Sequence, residues 1–461
     1  MDNNKKSMET IVNLCKGRGF VYPGSEIYGG LANTWDYGPL GSQMKMNLKA
    51  EWWKFFVQKR PDMVGLDSAI FMNPKVWEAS GHVANFSDPL VDCKSCKSRH
   101  RADHIIEAQA DIDVEGKTTQ EIDEIIASKG VKCPKCGEKN FTPVRKFNLL
   151  FETLLGVIEG DKSSIYLRGE TAQGIFVNFK NILQSSRKKL PFGVCQIGKA
   201  FRNEITPGNF TFRTLEFEQA EIEYFFNPAK QDWEKLFDEL LGSMKEFLTT
   251  RLGLKDENLR ELEHAKEKLS HYSKKTVDFE FNYPFGFKEL TGCAYRTDFD
   301  LATHSKASGQ DLTYYEQEAN EHVAPHVIEP SFGVDRMILA TIVDAYDEEG
   351  EGEEKRTVLR FNKYMAPYQV AVLPLSKKDE LSVVAQPIFN TLLDSFRVDY
   401  DETQSIGKRY RRQDEIGTLY CITVDFDSIN DHMVTVRERD SMKQERVPIA
   451  ELVSYLGKLL A

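Results

Sequence analysis

Hydrophobic and polar positions change period along this chain, and the changes mark its parts. Residues 194–226, VCQIGKAFRNEITPGNFTFRTLEFEQAEIEYFF, carry the period of two of a strand, then a loop, then a second strand. Arg202 and Glu204 end the first strand, and Arg213, Leu215, Phe217, Gln219 and Glu221 share one face of the second. Upstream, Met8–Lys16 predicts a helix, followed by a loop rich in glycine and aromatic residues punctuated by Gly29, Gly30, Gly38 and Gly41. An amphipathic helix is predicted from Ser42 to Gln58, with Leu48, Trp52, Phe55 and Phe56 near one face.

Residues 88–148 read as an insertion that opens with Cys93-x-x-Cys96 and closes with Cys133-x-x-Cys136. Inside it, Thr118 and Glu121 form a capping-box pattern, and Ile122, Ile125 and Ile126 continue a helix that stops near Gly130. A second insertion, 228–275, reads as helical and charged over 230–272 before strand signals return at 276–283. Residues 329–345, EPSFGVDRMILATIVDA, predict a strand that turns through Gly333 into an apolar helix. The acidic run 347–354 predicts a solvated loop before a boundary. The division that follows is one unit over 1–360 and a second over 364–461. In the second, strands at 369–375, near Phe396–Glu402, at 420–426 and at 433–439 alternate with helices, the last over 449–460, as in an α/β domain.

Hydrophobic residues at 41% and charged residues at 28% fit a globular chain. The net charge of −11 excludes a global basic signature, so any nucleic-acid contact must come from local patches. The N-terminal MDNNKKSMET lacks an apolar signal core, and no window has the ~18 uninterrupted apolar residues of a membrane span. With eight cysteines and two CxxC pairs, a reducing cytoplasm is the expected compartment. The four paired cysteines have zinc-ribbon spacing, but 36 residues separate the pairs, more than a compact ribbon uses. Structural zinc and free thiols are both open on spacing alone.

The second hairpin strand offers a cation, a ring and an anion, with Arg213, Phe217 and Glu221 spaced roughly 13 Å apart in turn. Triphosphate, base and ammonium would fit such a row. A merely solvated, salt-bridged face would look the same in isolation. Arg336 is the discriminating residue. A cation in a first helical turn opposes the helix dipole unless a phosphate lies between them.

Together these segments resemble the class II aminoacyl-tRNA synthetases. Phe201-Arg202-Asn203-Glu204 with Arg213-x-x-x-Phe217 resembles motif 2, Gly333-Val334-Asp335-Arg336 motif 3, and Asp67–Pro74 motif 1. YGPLG (37–41), RADH (101–104), ETAQGIF (170–176), EPSFGVDR and residues 400–418 narrow the resemblance to glycyl-tRNA synthetases of the homodimeric type, over nearly the whole chain. Two positions depart from the usual pattern: Gly169 and Leu419 stand where proline is frequent.

The resemblance implies an α+β catalytic domain built on an antiparallel sheet, bearing the cysteine insertion, and a C-terminal α/β anticodon-binding domain. It implies ATP and Mg²⁺, glycine, a glycine tRNA and a second copy of the chain as partners. The ATP set it implies is Arg202, Asn203, Glu204, Phe212, Arg213, Thr214, Leu215, Glu216, Phe217, Glu289, Leu290, Gly333, Val334, Asp335 and Arg336. The glycine set is Arg101, Glu170, Phe217, Glu218, Gln219, Ala220, Glu221, Arg296, Glu329, Pro330, Ser331, Phe332 and Gly333. Here Glu170, Glu221 and Glu329 would cage the ammonium, Ser331 would crowd the α-carbon, and Arg101 and Arg296 would manage the carboxylate. Lys408, Arg409, Arg411 and Arg412, with Arg437 and Arg439, would face tRNA, and the loop 205–212 would approach its acceptor end. An inactive paralogue that binds nucleic acid, or a class II synthetase for another small amino acid, are the competing readings. Retention of Arg202, Glu204, Phe217, Glu221 and Arg336 together argues against the first, and the Glu170, Glu221, Glu329 and Ser331 set against the second.

Overall fold

The computed structural model describes residues 7–114, 116–157, 163–205, 208–269, 272–352 and 355–461. Parts of five predicted segments lie outside the described residues: residues 1–6 at the N-terminus, Glu115 of the cysteine insertion, Thr206 and Pro207 of the hairpin loop, Ser270 and His271 of the second insertion, and Glu353 and Glu354 of the acidic run.

Helix α1 (Met8–Arg18) starts where Ser7 Oγ accepts from the Thr10 N–H and ends at Gly19 in the left-handed region. Helix α2 starts three residues earlier than the pattern predicts, at Pro39 (Pro39–Trp53), because proline suits the first helical turn, and it runs on as a π-turn through Gln58. Its face of Met44, Leu48, Trp52 and Phe56 is fully buried. Strand β1 (Met63–Gly65) and the short helices α3 (Pro74–Ala79) and α4 (His82–Asn85) lead to the cysteine insertion. That insertion is a three-stranded sheet of β2 (Ser87–Asp92), β3 (Arg99–Arg101) and β4 (Arg145–Asn148) in the order β3-β2-β4. Helices α5 (Ala102–Ala110) and α6 (Thr119–Lys129) pack on it through Ile105, Ile106, Ile122 and Ile126. Thr118 and Glu121 form the full capping box at the start of α6, and Gly130 ends it.

Helix α7 (Ala172–Ser186) precedes the hairpin strands β5 (Phe192–Phe201) and β6 (Glu216–Phe226). After α8 (Trp233–Glu246) comes an edge strand, β7 (Leu259–Glu263), where the pattern predicts helix. Cross-strand pairing overrides local propensity there: Arg260 lies opposite Glu280, donates to it at 2.5 Å, and covers the Phe287 ring at 4.2 Å. Strands β8 (Lys275–Tyr283) and β9 (Gly286–Thr297), helix α9 (Phe299–Ser308), strand β10 (His326–Gly333) and helix α10 (Val334–Ala345) complete this part. Its seven-stranded sheet has the order β7-β8-β9-β10-β6-β5-β1 and is antiparallel apart from the parallel β1–β5 pair. One side packs on α2, α8 and α10, and the other on α7 and α9.

A hairpin of β11 (Tyr346–Glu349) and β12 (Arg356–Leu359) brings the acidic run to the C-terminal unit. There β13 (Val370–Pro374), helix α11 (Asp379–Leu393), β14 (Val398–Tyr400), helix α12 (Ile406–Ile416), β15 (Tyr420–Val424), β16 (Met433–Glu438), β17 (Gln444–Pro448) and helix α13 (Leu452–Leu460) form a five-stranded sheet flanked by helices. The strand order is β14-β13-β15-β16-β17, parallel on the β13 side and antiparallel from β15 onward.

Asp414 joins the two sheets. It accepts from Arg356 Nε at 2.8 Å and from both Arg437 nitrogens at 2.9 and 3.1 Å, with all three side chains buried. Removing one partner from such a cluster strands the remaining charges in the interior. Asp414→Ala is expected to cost about 3–5 kcal/mol, read as a lower urea midpoint for the C-terminal unit. A midpoint within experimental error of the parent would contradict this account of the junction.

Candidate active site

The β6–β10 register builds the centre of the site. Glu221 lies opposite Ser331, Ala220 opposite Phe332 and Gln219 opposite Gly333. Alternation then sends Phe217, Gln219, Glu221, Glu329, Ser331 and Gly333 to one face, where they line a cleft of about 250 Å³. Ala220 and Phe332 face the hydrophobic core, where Phe332 packs on Trp52, Phe56 and Phe247. Pro330 alternates to that side too, Leu290 belongs to the core and also lines the cleft, and Val334 is a core residue whose neighbours line it.

At one end of the cleft stand three arginines. Arg202 follows β5, donates from Nε to the Gly169 carbonyl at 3.0 Å, and is stacked between the rings of Phe86 (5.1 Å) and Phe217 (5.3 Å). Arg213 lies ahead of β6 rather than on it, and reaches the cleft from the loop, 3.8 Å from Glu204. Arg336 lies over the Phe212 ring at 4.5 Å, donates to the Phe212 carbonyl at 3.3 Å, and pairs with the Glu289 carboxylate at 3.0 Å. That guanidinium holds Glu289 below the usual carboxylate range.

Four acids converge at the other end and beneath it. Glu221 accepts from Thr171 N (3.1 Å), Thr171 Oγ, Gln219 Nε2 (2.9 Å) and Ser331 Oγ (3.0 Å). Glu170 accepts from Gln173 Nε2 at 3.0 Å, and His82 Nε2 lies 3.4 Å from it. Burial raises its pKa, but His82, Arg296 and Gln173 outweigh burial and hold the carboxyl ionised. Arg296 spends its guanidinium on Asp300, at 2.8 and 2.9 Å, and on Glu329, at 2.8 Å. It is 2% exposed, so it orients Glu329 rather than presenting a cation to the cleft.

Arg101 lies outside the cleft, while Glu218, Asp335 and Thr214 line it with their polar groups tied to neighbouring residues. Arg101 pairs with Asp88 (2.8 Å) and Asp103 (2.5 Å) and lines a separate cavity of about 570 Å³ in the insertion. The Glu218 carboxylate pairs with Lys45 and Lys49 of α2, both at 2.9 Å. Asp335 is an anchor: it accepts from Tyr37 OH (2.6 Å), Lys45 (2.8 Å) and the Glu218 N–H (2.7 Å), which fixes the first turn of α10 against α2 and β6. Asn203 donates its N–H to the Leu149 carbonyl, Thr214 donates to the Glu216 carbonyl, Leu215 bonds the Asn33 carbonyl, and Glu216 pairs with Lys199 at the surface.

Two residues without an expected role turn out to be central. His82 and Phe86 stack on each other at 5.1 Å, so one short segment touches both Glu170 and Arg202. Their four-residue spacing is the signal that could have revealed them. Phe86 also gives Gly169 a packing reason: a Cβ there would meet Phe86 at 3.2 Å and Leu150 at 3.0 Å. Leu419 packs against the main core without touching the site.

The basic cluster near residue 410 lies on helix α12. On α12, Arg409 and Gln413 fall one turn apart and both point inward. Arg409 is 0% exposed and donates to the carbonyls of Pro374, Asp401 and Leu375. Arg412 is tied to Asp401 and Thr403. Arg437 and Arg439 are buried, and Lys408 is exposed. Arg409, Arg437 and Arg439 therefore hold this unit together and do not face a partner.

The cysteine pairs form two matching knuckles. In each, the N–H four residues after the first cysteine donates back to that cysteine's carbonyl, from Lys97 and Gly137, and both of those residues are in the left-handed region. The four sulfurs lie within 4.8 Å of one another, with Cys93–Cys136 at 3.6 Å and Cys96–Cys133 at 3.7 Å. Tetrahedral Zn–S bonds of ~2.3 Å require sulfur–sulfur edges of about 3.8 Å, so the set fits zinc. The other four cysteines are buried single residues.

A family model described as tRNA synthetase class II core domain (G, H, P, S and T) matches residues 155–346, and one described as anticodon binding domain matches 369–459. The chain is 57% identical to the glycine–tRNA ligase of Alkaliphilus oremlandii over 463 residues, covering 99% of each chain. It is 57% identical to that of Lysinibacillus sphaericus over 462 residues and 56% identical to that of Geobacillus kaustophilus over 462, again covering 99% of each. A prolyl-tRNA synthetase structure from Cryptosporidium parvum, complexed with halofuginone and AMPPNP, shares the fold at 16% identity, with a TM-score of 0.63 over 98% of this chain and 74% of that one. Among the described residues no helix is long and apolar enough to cross a membrane. With relatives this similar from end to end, the chain belongs to the glycine–tRNA ligase family of class II aminoacyl-tRNA synthetases.

Proposed function

We propose that the chain activates glycine with ATP and transfers it to the 3′ end of a glycine tRNA. The observation that carries this reading is one cleft lined by three arginines and Phe217 and also by carboxylates beside Ser331. Adenine would stack on Phe217, Arg213 and Arg336 would hold the γ-phosphate, and Arg202 would bridge the α-phosphate and the glycine carboxylate. Glu204 would accept from the adenine amino group. The glycine carboxylate attacks the α-phosphorus as pyrophosphate leaves, and a terminal tRNA hydroxyl then attacks the acyl carbon of the adenylate. The attacking carboxylate is already ionised, so the first step needs no general base. Its catalysis is positioning and charge stabilisation by groups held before the substrate arrives, Arg202 above all. Mg²⁺ bound with the triphosphate would neutralise its charge, and Glu289, half-exposed beside Arg336, would be the carboxylate that holds it.

The ammonium would meet Glu170, Glu221 and Glu329, and Ser331, pinned by its bond to Glu221, would leave no room for a side chain. The four cysteines would hold a structural zinc that braces the insertion. A homodimer belongs to the same reading, since Phe71 in the 67–74 segment and Ile27 and Tyr28 in the early loop are apolar and exposed, as a face covered by a second copy would be.

ATP–pyrophosphate exchange measured across the amino acids should respond to glycine alone, and a response to another amino acid would overturn the assignment. Glu221→Gln should lower glycine-dependent exchange on the order of 100-fold, because an amide cannot serve four donors and an ammonium together. Near-normal exchange would remove Glu221 from the amine site. Elemental analysis should find one zinc per chain, lost together with the thermal stability of the insertion in Cys133→Ser. A metal-free parent protein of normal stability would show the cysteines to be plain thiols.

A further inference from the structure

Beneath the acidic end of the cleft lies a carboxyl with no part in the reading above. Glu223 follows Glu221 by two positions on β6, so it points to the same face. Register is continuous on either side, from Glu221 opposite Ser331 to Tyr224 opposite Ile328, which puts Glu223 across from Glu329. Glu223 is 0% exposed, and among the described residues no donor reaches either of its oxygens.

Donors rank the neighbouring acids. Glu221 has four, Glu170 has Gln173 and His82, Glu329 has Arg296 alone, and Glu223 has none. Hydrogen bonds to a buried carboxylate are what keep it ionised, so protons gather at the bottom of this order. The charge balance agrees. Glu221 and Glu223 from β6, Glu329 from β10, Asp300 from α9 and Glu170 ahead of α7 surround Arg296 from β9. The other titratable groups nearby are His82, which faces Glu170, His304, which donates to Gln173, Cys293 on β9, and Tyr272, whose ring lies 4.0 Å from the Arg296 guanidinium.

We propose that the Glu223–Glu329 pair carries two protons without substrate and one when an ammonium is seated, so that amino-acid binding releases a proton to solvent. This rests on reading the acidic end as the glycine ammonium site. The ammonium brings the donors that Glu329 lacks, and Glu329 gives up its proton to become the counter-charge. Glu223, out of the ammonium's reach below, keeps its proton and spares the site a further negative charge. The electrostatics run the same way for Glu329 and Glu223, although burial and Glu170 raise Glu221 as well against the pull of its donors. Burial, with Glu221 and Glu170 adding and Arg296 opposing, raises Glu329 to about 8, and burial followed by Glu329 pushes Glu223 well above the ordinary range. Below pH ~8 glycine must therefore displace a proton, so its KM should fall as pH rises from 6.5 to 8, by up to tenfold per unit.

The test is calorimetric titration of the full chain with glycine at pH 7, in phosphate and in Tris. The two apparent enthalpies should differ by about one proton's worth of the difference between the ionisation heats of the two buffers. Equal enthalpies with clear glycine binding would overturn the proton coupling and leave the site reading standing. No glycine heat in either buffer, together with no glycine-dependent pyrophosphate exchange, would overturn the site reading itself. E223Q, which swaps one neutral group for another, should still release the proton and keep its glycine KM within about threefold. A hundredfold rise in KM in an E223Q protein with an unchanged circular dichroism spectrum and urea midpoint would show that Glu223 is ionised, and would also overturn the proposal. If E223Q does not fold, the two-buffer titration of the parent chain decides.

Discussion

A slip of one residue between β6 and β10 would turn the site inside out. Were β10 the strand that moved, Glu329 and Ser331 would enter the hydrophobic core and Phe332 would line the cleft, parting both polar residues from Glu221. Two contacts made by the residues that follow Ser331 hold the register. Phe332 is wedged among Trp52, Phe56 and Phe247, and Asp335 takes the Glu218 N–H while gripping Tyr37 and Lys45 of the neighbouring segment. The apolar side of the sheet thus decides which polar side chains meet on the other.

Within that frame, the charged groups are held before any substrate arrives. Arg202 has a carbonyl and two rings, Arg336 has a ring, a carbonyl and a carboxylate, and Glu221 has four donors. Fixed groups of this kind need not reorganise when charge develops on phosphate, which is where an enzyme gains most from its dipoles. The acids beneath them carry an opposite burden. Too many lie too close for all to be ionised, and protons or an ammonium must make up the difference.

The C-terminal unit spends its cations differently. Arg356, Arg437 and Asp414 form a closed cluster where the two sheets meet, and Arg409 binds three carbonyls beneath the edge of its own sheet. A run of basic residues thus divides into an interior set and an exterior one. The helix period of α12 makes the division, which residue type alone does not reveal.

Alternation along residues 216–226 is enough to group Phe217, Gln219 and Glu221, and the spacing of the cysteine pairs is enough to raise zinc as a candidate. Both are local regularities, and local geometry honours them. Gly333, too, marks the turn that brings Arg336 to the cleft. The sequence could not show that Arg296 would serve Glu329, that Arg101 would line another cavity, that Asp335 would be an anchor, or that residues 259–263 would join a sheet edge. Arg101 is taken by acids within 13 residues of it, and the other three depend on partners 20 to nearly 300 residues away in the chain. By itself the sequence determined the elements, the face each strand offers and the inventory of charges. Only the tertiary structure decided which charges meet, because the pairing of a buried ion is set by what is packed around it.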